Sequence, residues 1–160
     1  MNNFEQVRAA APRGLRIAVA GADDPAVLHA VAMAAAEGIV SGGALCMAKQ
    51  AGGAETVAAV ERAGLDPARF VVVESGQGAG GGDAAACRRA VETVRSGGAD
   101  ILMKGFVQTA DFMRAVLNKE TGISAGGVLC QVGVYDIPAL GRLVAMADVG
   151  IVITPDLQQL

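Results

Sequence analysis

Two cations, Lys104 and Arg114, flank a predicted strand-to-helix junction in residues 99–122, "ADILMKGFVQTADFMRAVLNKETG". Ligands of parallel α/β sheets collect beyond the carboxyl ends of the strands, and Lys104 ends such a predicted strand. Gly105 would allow the backbone to bend or to approach a ligand closely. Thr109 is a candidate N-cap that would leave further backbone N–H groups available to an anion. The stretch therefore predicts an anion site.

An ordinary surface arrangement explains the same residues equally well. Asp111 and Arg114 are three positions apart on the predicted helix, which is the spacing of an ion pair that contributes a few tenths of a kcal/mol. Lys104 would then be solvated. The apolar stripe of this helix consists of Phe112, Met113, Val116 and Leu117. Arg114 points away from that stripe, so the residues alone leave both interpretations open.

A glycine-rich loop, "SGQGAGGGD", also contains a possible phosphate-binding pattern, G-x-G-x-x-G, at Gly76, Gly78 and Gly81. The context does not suit a dinucleotide fold, because the pattern follows the third predicted strand rather than the first. The acid about 20 residues further on, Asp100, begins a strand instead of ending one. Asp83 would also repel a phosphate at the helix entrance. We interpret the segment as a surface loop, with Asp83 as the N-cap of the next helix.

Nucleophilic and metal-binding chemistry have little support. Cys87 lies on a helical stripe with Ala90, Val91 and Val94, which predicts a buried thiol rather than a nucleophile. His29 is the single histidine and has no partner identifiable from the sequence, so we expect a structural role and no metal site. The three cysteines, Cys46, Cys87 and Cys130, lack metal-type spacing and are expected to be reduced thiols.

Hydrophobic periodicity predicts alternating strands and helices. Asp24 is the expected N-cap of the first helix, Pro25 its first residue and Gly38 its stop, which leaves Asp23 to solvent. Two later segments, 128–135 and 143–153, look like strands joined by a short Pro-containing turn. This order predicts one α/β domain over residues 1–160, a three-layer αβα fold with a mainly parallel sheet plus late antiparallel strands. The other predicted strands are 15–21, 44–48, 70–74 and 100–104, and the other helices are about 55–62, 84–96 and 110–118.

Composition limits the possible partners. The hydrophobic fraction of 52% with only 3% aromatic residues predicts a core of small aliphatic side chains. A net charge of -3 argues against nucleic-acid binding, which normally needs a basic stripe with stacking aromatics. The N-terminus lacks a signal-peptide pattern, and the longest apolar region, 26–36, is too short to span a bilayer. We expect a cytoplasmic protein with no membrane partner.

The central stretch also resembles a known family, the phosphate acetyl- and butyryltransferases, most closely the butyryl branch. In that family "ADILMKG", a Thr, and a segment like "RAVLNKETG" recur in this order. "RIAVAGADDPAVLHAVAMAAAEGIV" is similar to the family's first strand and helix. "VLCQVGVYDIP" and "GRLVAMADVGIVITPDL" are similar to its later paired strands, where Asp148 and the Pro155-Asp156 pair match.

The resemblance implies a phosphotransacylase, which exchanges acyl phosphate and coenzyme A with acyl-CoA and phosphate. The acyl group would be short, such as butyryl or acetyl. It implies a two-domain fold like that of isocitrate and isopropylmalate dehydrogenases, a homo-oligomer, coenzyme A as a substrate, and no permanently bound cofactor. By carry-over, Arg114 would hold the phosphate or acyl phosphate, and Lys104, Gly105 and Thr109 would line the same pocket.

The chain also departs from the family pattern. Cys130-Gln131 stands where relatives often have Ser-His, and Thr154 stands where they have Asn. Family members are about twice as long, so the resemblance covers an N-terminal half, and the catalytic residues are expected in the other half. We expect the chain to be incomplete for catalysis on its own. The alternative is a non-catalytic module that binds phosphate-bearing ligands or serves in assembly.

Overall fold

The computed structural model describes residues 2–49, 53–74, 81–126 and 129–147. The chain divides into two compact units, one comprising Pro12–Ser124 and the other containing the first helix and the last two strands. The larger unit alternates strands and helices, as the sequence predicts. Its elements are β1 (Leu15–Ala20), α2 (Pro25–Ala36), β2 (Val40–Met47), α3 (Gly53–Arg62), β3 (Phe70–Glu74), α4 (Gly82–Arg95), β4 (Ile101–Lys104) and α5 (Thr109–Val116). The smaller unit contains α1 (Phe4–Ala10), β5 (Val132–Ile137) and β6 (Arg142–Ala147).

The four strands of the larger unit form one parallel sheet in the order β3-β2-β1-β4. β1 is therefore central, and its last residue, Ala20, pairs with Cys46 of β2 on one side and with Lys104 of β4 on the other. Parallel pairing requires a crossover between successive strands, and the helices provide it. The carboxyl ends of β1, β2 and β4 consequently meet at one edge of the sheet.

Helices cover both faces of this sheet, which gives three layers. On one face, Ile17 and Val19 pack with Leu28 and Val31 of α2 and with Val60 of α3. The other face is built mainly from alanines, cysteines and valines of β1, β2 and α4, with Ala115 of α5. Small side chains allow α4 and α5 to lie close to the sheet, so the prediction of a small-aliphatic core is confirmed. The α/β prediction with a mainly parallel sheet is also confirmed.

The two ends of α2 follow the sequence prediction. The Asp24 carboxylate accepts a hydrogen bond from the backbone N–H of Ala26 at 2.8 Å, which is the expected N-cap contact. Gly38 adopts φ +70° and ends the helix, as does Gly97 (φ +77°) after α4.

β2 begins at Val40, four residues before the predicted start at Ala44. Gly42 and Gly43 had no strand-like pattern in the sequence, yet they are part of the strand because the neighbouring backbone is very close. A Cβ on Gly43 would overlap the Ile17 carbonyl oxygen, and one on Gly42 would lie 2.6 Å from the Arg69 carbonyl oxygen. The need for close backbone approach, rather than β propensity, explains the two glycines.

The late strands β5 and β6 pair antiparallel, as predicted, but they form a two-stranded sheet of their own. Pro138 begins a single 3-10 turn between them, and Gly141 closes it with φ +59°. β5 starts at Val132 rather than at residue 128, and the predicted continuation to residue 153 lies outside the described residues. The boundary of a single 1–160 domain stays a prediction. In the part of the chain that the structure describes, no helix has the length and apolar character needed to cross a membrane.

Candidate anion-binding site

The loops after β1 and β4 lie directly against each other at the carboxyl edge of the sheet. The backbone N–H of Gly105 donates to the Ala20 carbonyl oxygen at 2.8 Å, and that of Phe106 donates to the Gly21 carbonyl oxygen at 2.8 Å. Lys104 lies at this edge, as predicted, and its side chain is exposed. Its Nζ is 3.4 Å from the Gly105 carbonyl oxygen, a long contact that holds the ammonium only weakly.

Gly105 is required by backbone packing at this point. A Cβ there would overlap the Gly21 carbonyl oxygen and lie 3.0 Å from the Ala20 carbonyl oxygen. Gly21 itself adopts φ +79°, and a Cβ on it would come within 2.9 Å of the Phe106 carbonyl oxygen. The two glycines therefore let the two loops touch, which fixes the position of Lys104 relative to β1. Close approach of Gly105 to a ligand stays a prediction.

The predicted capping function of Thr109 is wrong. Gln108 is the N-cap of α5, no side chain caps the helix, and Thr109 is its first helical residue. The prediction that Asp83 caps α4 is also wrong, because Gly81 holds that position. Asp83 instead accepts a hydrogen bond from the backbone N–H of Gln108 at 2.8 Å. This contact ties the start of α4 to the start of α5, so Asp83 is a positioning residue for the loop that follows Lys104.

Carboxylates at this end of α5 oppose an anion there. Asp83 contacts the Gln108 amide, and Asp111 lies in the first turn of the helix. Both negative charges interact favourably with the positive helix terminus. An external anion at the same place would have to overcome their repulsion.

Arg114 lies instead on the wall of a cleft of about 170 Å³ between α4, α5 and the segment after α5. Its guanidinium bonds to the Asp111 carboxylate at 2.5 Å, the i, i+3 ion pair that the sequence predicts. The Arg114 side chain is 71% exposed, whereas that of Asp111 is 25% exposed. The predicted ion pair is therefore present, and the paired arginine borders a concave surface, while anion binding by Arg114 stays a prediction. The cleft is lined by Ala84, Arg88, Asp111, Arg114, Ala115, Asn118 and Thr121.

The four predicted site residues do not share this cleft. Among the described residues, Arg114 contributes to its wall, while Lys104, Gly105 and Thr109 do not. They lie on the strand end, the following loop and the first position of α5. Their common role in binding a substrate stays a prediction.

Arg88 lines the cleft, a position that the sequence pattern did not indicate. It lies on α4, four positions after Ala84, and both residues line the same cleft as Arg114. Residues four apart share one face of a helix, and Cys87 points into the core, so an amphipathic reading of α4 places Arg88 near the edge of the buried face. The sequence does not show that this side of α4 packs against α5.

Asp23 was predicted to be solvated, but it has a structural function. Its carboxylate accepts hydrogen bonds from the backbone N–H groups of Ala48 at 2.7 Å and Lys49 at 2.9 Å. These bonds join the loop after β1 to the end of β2. Asp23 therefore stabilises the carboxyl edge of the sheet.

The opposite edge of the sheet has a different electrostatic arrangement. Asp100 accepts hydrogen bonds from the Arg16 backbone at 2.8 Å and from its guanidinium at 3.0 Å. These hydrogen bonds hold the pKa of the Asp100 carboxyl below its ordinary value. A larger cleft, about 460 Å³, lies at this edge, and Arg16 is part of its wall. Arg69 also lines this cleft, so its wall contains a second arginine beside the Arg16–Asp100 pair.

The buried thiols are not nucleophiles at neutral pH. Burial raises the pKa of Cys46 to about 12, and burial with the nearby carboxylates of Asp111 and Asp83 raises the pKa of Cys87 to about 11. The prediction of a buried Cys87 is confirmed, since it is fully inaccessible.

His29 is exposed on α2, and the described residues contain no group of three or more His, Cys, Asp or Glu that could hold a metal ion.

Comparison with known proteins connects this geometry to a family. The chain is 35% identical over 144 residues to the phosphate butyryltransferase of Clostridium acetobutylicum, a match that covers 90% of the chain and 44% of that relative. It is 49% identical over 59 residues to the phosphate butyryltransferase of Clostridium beijerinckii, covering 37% of the chain and 20% of that relative. The chain is a relative of the phosphate butyryl- and acetyltransferases.

Further comparisons agree with this relationship. The phosphate acetyltransferase of Thermotoga maritima is 39% identical over 72 residues, covering 45% of the chain and 24% of that relative. The crystal structure of a branched-chain phosphotransacylase from Enterococcus faecalis superimposes with a TM-score of 0.55 at 20% identity, over 84% of the chain and 42% of that protein. This likeness shows a shared α/β fold. No protein-family profile matches the chain.

The chain spans less than half the length of the phosphate butyryltransferase that it matches most extensively among these relatives. The phosphotransacylase structure is covered to a similar extent. A match that covers 90% of the chain includes Lys104 and Arg114 wherever it begins.

Proposed function

We propose that this chain is part of a phosphate acyltransferase that exchanges acyl phosphate and coenzyme A with acyl-CoA and inorganic phosphate. The acyl group is short, such as butyryl or acetyl. The observation that carries the proposal is the 35% identity to a phosphate butyryltransferase over 90% of the chain.

The reaction needs positive charge at the phosphate. The sulfur of coenzyme A attacks the acyl carbonyl carbon, the bond from that carbon to the phosphate oxygen breaks, and phosphate leaves with the electron pair. Negative charge develops on the carbonyl oxygen and on the leaving phosphate, and fixed cations stabilise it. Arg114 is suited to this because its planar guanidinium can donate two parallel hydrogen bonds to phosphate oxygens.

The strand-end residues complete the proposed substrate pocket. Lys104 supplies a second positive charge at the carboxyl edge of the sheet, where ligands of parallel α/β folds bind. Gly105 and Thr109 form the loop and helix start beside it. In this proposal a second domain of an isocitrate or isopropylmalate dehydrogenase-like fold closes over this edge and supplies the remaining contacts.

The group that accepts the thiol proton is expected outside this chain. Cys46 and Cys87 cannot serve, because their raised pKa values keep them protonated at neutral pH. A general base must lie within hydrogen-bond reach of the proton that it removes. We therefore propose that residues of a second half provide the base, and that the protein is a cytoplasmic homo-oligomer without a permanently bound cofactor, using coenzyme A as substrate.

A non-catalytic module is the second candidate function. Arg114 borders a concave surface, and binding a phosphate group there does not itself require turnover. Such a module would bind phosphate-bearing ligands through the same arginine but would form no thioester.

The test is thioester formation from butyryl phosphate and coenzyme A. The protein encoded by the complete reading frame that contains these residues is expected to produce butyryl-CoA, measured by ultraviolet absorbance of the thioester. The 160-residue chain alone is expected to produce little. If the complete protein binds phosphate but forms no thioester with acetyl, propionyl or butyryl phosphate, the acyltransferase proposal fails and the binding module remains.

A further inference from the structure

The turn after β4 places an aromatic ring in solvent, next to one of the candidate substrate residues. Phe106 is 67% exposed, the largest fraction among the large hydrophobic residues that the structure describes. It lies two residues after Lys104, at the carboxyl edge of the sheet where ligands of parallel α/β folds bind. Single exposed hydrophobic side chains are common on protein surfaces, so the exposure of Phe106 acquires meaning only from its surroundings.

The backbone of Phe106 is held on both sides of the ring. Its N–H group donates to the Gly21 carbonyl oxygen at 2.8 Å, in the loop after β1. The N–H group of Val107 donates to the Gly105 carbonyl oxygen at 3.1 Å, which closes a three-residue turn with Phe106 at its centre. Val107 itself is buried in the core that α4 and α5 form against the sheet. The ring is therefore presented by a tightly held turn, and the protein loses little backbone entropy when a ligand packs against it.

Charges of opposite sign lie on the two sides of this turn. Before Phe106 comes the exposed ammonium group of Lys104 at the end of β4. After it, the Asp83 carboxylate contacts the Gln108 amide, and Asp111 lies in the first turn of α5. An anion is therefore attracted to the strand side of Phe106 and repelled from the helix side, whereas an uncharged group can lie over the ring itself.

The chemistry of the turn suits a hydrocarbon group. A phenyl ring has no hydrogen-bonding atom, and the residues on either side of it, Gly105 and Val107, add no polar side chain. The ring can remove hydrocarbon surface from water, which is favourable, but it cannot pair with a polar group. A ligand with an anionic head and a short hydrocarbon chain matches both features, with the head on the Lys104 side and the chain over the ring.

We propose that Phe106 packs against the alkyl chain of the acyl phosphate and thereby contributes to selection of the acyl chain length. The identity of the chain rests on the proposed function, which supplies a short acyl group. A butyryl chain covers more of the ring than an acetyl group does, so the contact favours the longer substrate. The adenine ring of coenzyme A is the other flat group that could lie on a phenyl ring, and the experiment below separates the two.

The test measures how affinity depends on alkyl chain length. Inorganic phosphate and methyl, ethyl, propyl and butyl phosphate are titrated by calorimetry into the protein of the complete reading frame that contains this chain. Alkyl phosphates lack the acyl carbonyl group, so no group transfer occurs during the titration.

The variants are Phe106→Ala and Phe106→Leu, with Met33→Ala as the control. Met33 is a 55% exposed hydrophobic residue of α2, which packs on the opposite face of the sheet from α4. Because Phe106 and Met33 are both exposed, these substitutions should leave the fold intact, and urea unfolding of each variant verifies this.

A methylene group that packs against one face of the ring should raise the affinity about twofold, so the wild type should bind butyl phosphate roughly eightfold more tightly than methyl phosphate. Phe106→Ala should lower this ratio below about threefold. Phe106→Leu keeps an apolar contact and should retain most of the ratio, and Met33→Ala should retain all of it. Inorganic phosphate has no chain, so its affinity should differ by less than about twofold among these proteins.

Three results would overturn the proposal. A wild type that binds methyl and butyl phosphate equally has no alkyl contact to assign. Equal ratios in the wild type and Phe106→Ala would show that the ring does not contact the chain, and a loss of stability in that variant would assign the ring to an internal contact of the complete protein. Weaker coenzyme A binding by Phe106→Ala and Phe106→Leu, with the ratio unchanged, would assign the ring to adenine stacking.

The outcomes also separate this proposal from the proposed function, because binding of alkyl phosphates requires no turnover. A chain-length ratio that depends on Phe106, together with no thioester formation by the complete protein, keeps the alkyl contact and rejects the acyltransferase. Thioester formation with an unchanged ratio in Phe106→Ala keeps the acyltransferase and rejects the alkyl contact.

Discussion

At Arg114 the structure confirms the predicted ion pair, and anion binding by the same residue stays a prediction. The spacing to Asp111 predicts their ion pair, and the pair is present at 2.5 Å. The apolar pattern of α5 predicts that Arg114 points away from the core, and its side chain is 71% exposed. Arg88 could not be predicted in the same way, because its proximity to the cleft depends on how α4 packs against α5.

We predict that Arg114→Ala weakens phosphate binding while leaving the fold almost unchanged. Exposed i, i+3 ion pairs contribute about 0.2–0.5 kcal/mol, so the free energy of unfolding should fall by no more than about 0.5 kcal/mol. Phosphate affinity, measured by calorimetry, should fall about tenfold, the consequence of losing one charge-assisted contact.

Arg89→Ala is the appropriate control for Arg114→Ala. It removes an ion pair of the same i, i+3 type, with Glu92, on the other helix. The two variants should lose similar, small amounts of stability, and only Arg114→Ala should lose phosphate affinity. A large loss of stability with unchanged phosphate affinity would assign Arg114 a purely structural role.

At the level of elements, local sequence rules predicted the order of strands and helices better than their ends. The N-cap of α2 was predicted correctly because, within the described residues, the Asp24 carboxylate makes its hydrogen bond locally, to the backbone N–H of Ala26. Asp83 was predicted wrongly because its carboxylate contacts the Gln108 amide, 25 residues away. A long-range contact of this kind has no local signature. At Thr109 the error is one of position, because α5 begins one residue earlier than predicted, with Gln108 as its N-cap.

We predict that Gly105→Ala strongly destabilises the larger unit. A methyl group at this position would overlap the Gly21 carbonyl oxygen, and backbone atoms cannot move aside as a flexible side chain would. The loops after β1 and β4 would have to separate, with loss of the hydrogen bond from Gly105 to Ala20. We expect a loss of about 2–4 kcal/mol in the free energy of unfolding, measured with urea.

Gly53→Ala provides the control for this substitution. Gly53 begins α3, and a Cβ there would meet no atom within 4 Å. Alanine is the better helix former, so this variant should be neutral or slightly more stable than the wild type. Comparable stability of the two alanine variants would show that the loops do not need the close approach at Gly105.

For the whole molecule, composition predicted the character of the core. Few aromatic residues and many alanines and valines produce two thin hydrophobic layers, one on each face of the sheet. The placement of β5 and β6 in a separate sheet was not predictable, since both strands have suitable strand patterns and their partners are decided by tertiary packing. Residues 127–128 and 148–160, which carry part of the family resemblance, lie outside the described residues.

We predict that the three cysteines differ sharply in reactivity. Cys46 and Cys87 are buried, whereas Cys130 is exposed. At pH 8 a thiol reagent such as Ellman's should modify Cys130 in the folded protein and all three cysteines in urea. The Cys130→Ser variant should show almost no native labelling, and rapid labelling of that variant would contradict the buried positions.

The same thiols predict a dependence of stability on pH. Burial raises the pKa of Cys87 to about 11 and that of Cys46 to about 12, compared with about 8.5 for an unperturbed thiol. The unfolded state therefore loses these protons first. Their contribution to stability is complete below about pH 8.5 and decreases as the pH rises toward 11. Urea unfolding should show a shallower decline over this range in Cys87→Ala than in the wild type, and equal slopes would contradict the assignment.

The central claim is that the arginine cleft serves a phosphate acyltransferase, and the most direct measurement is the reverse reaction with butyryl-CoA and inorganic phosphate. It uses the protein of the complete reading frame that contains this chain, with release of the coenzyme A thiol as the signal. We predict that the wild type consumes the thioester and that Arg114→Ala raises the KM for phosphate about tenfold while Arg89→Ala leaves it unchanged. Absence of thioester consumption by the wild type, or equal KM values in all three proteins, would contradict the claim.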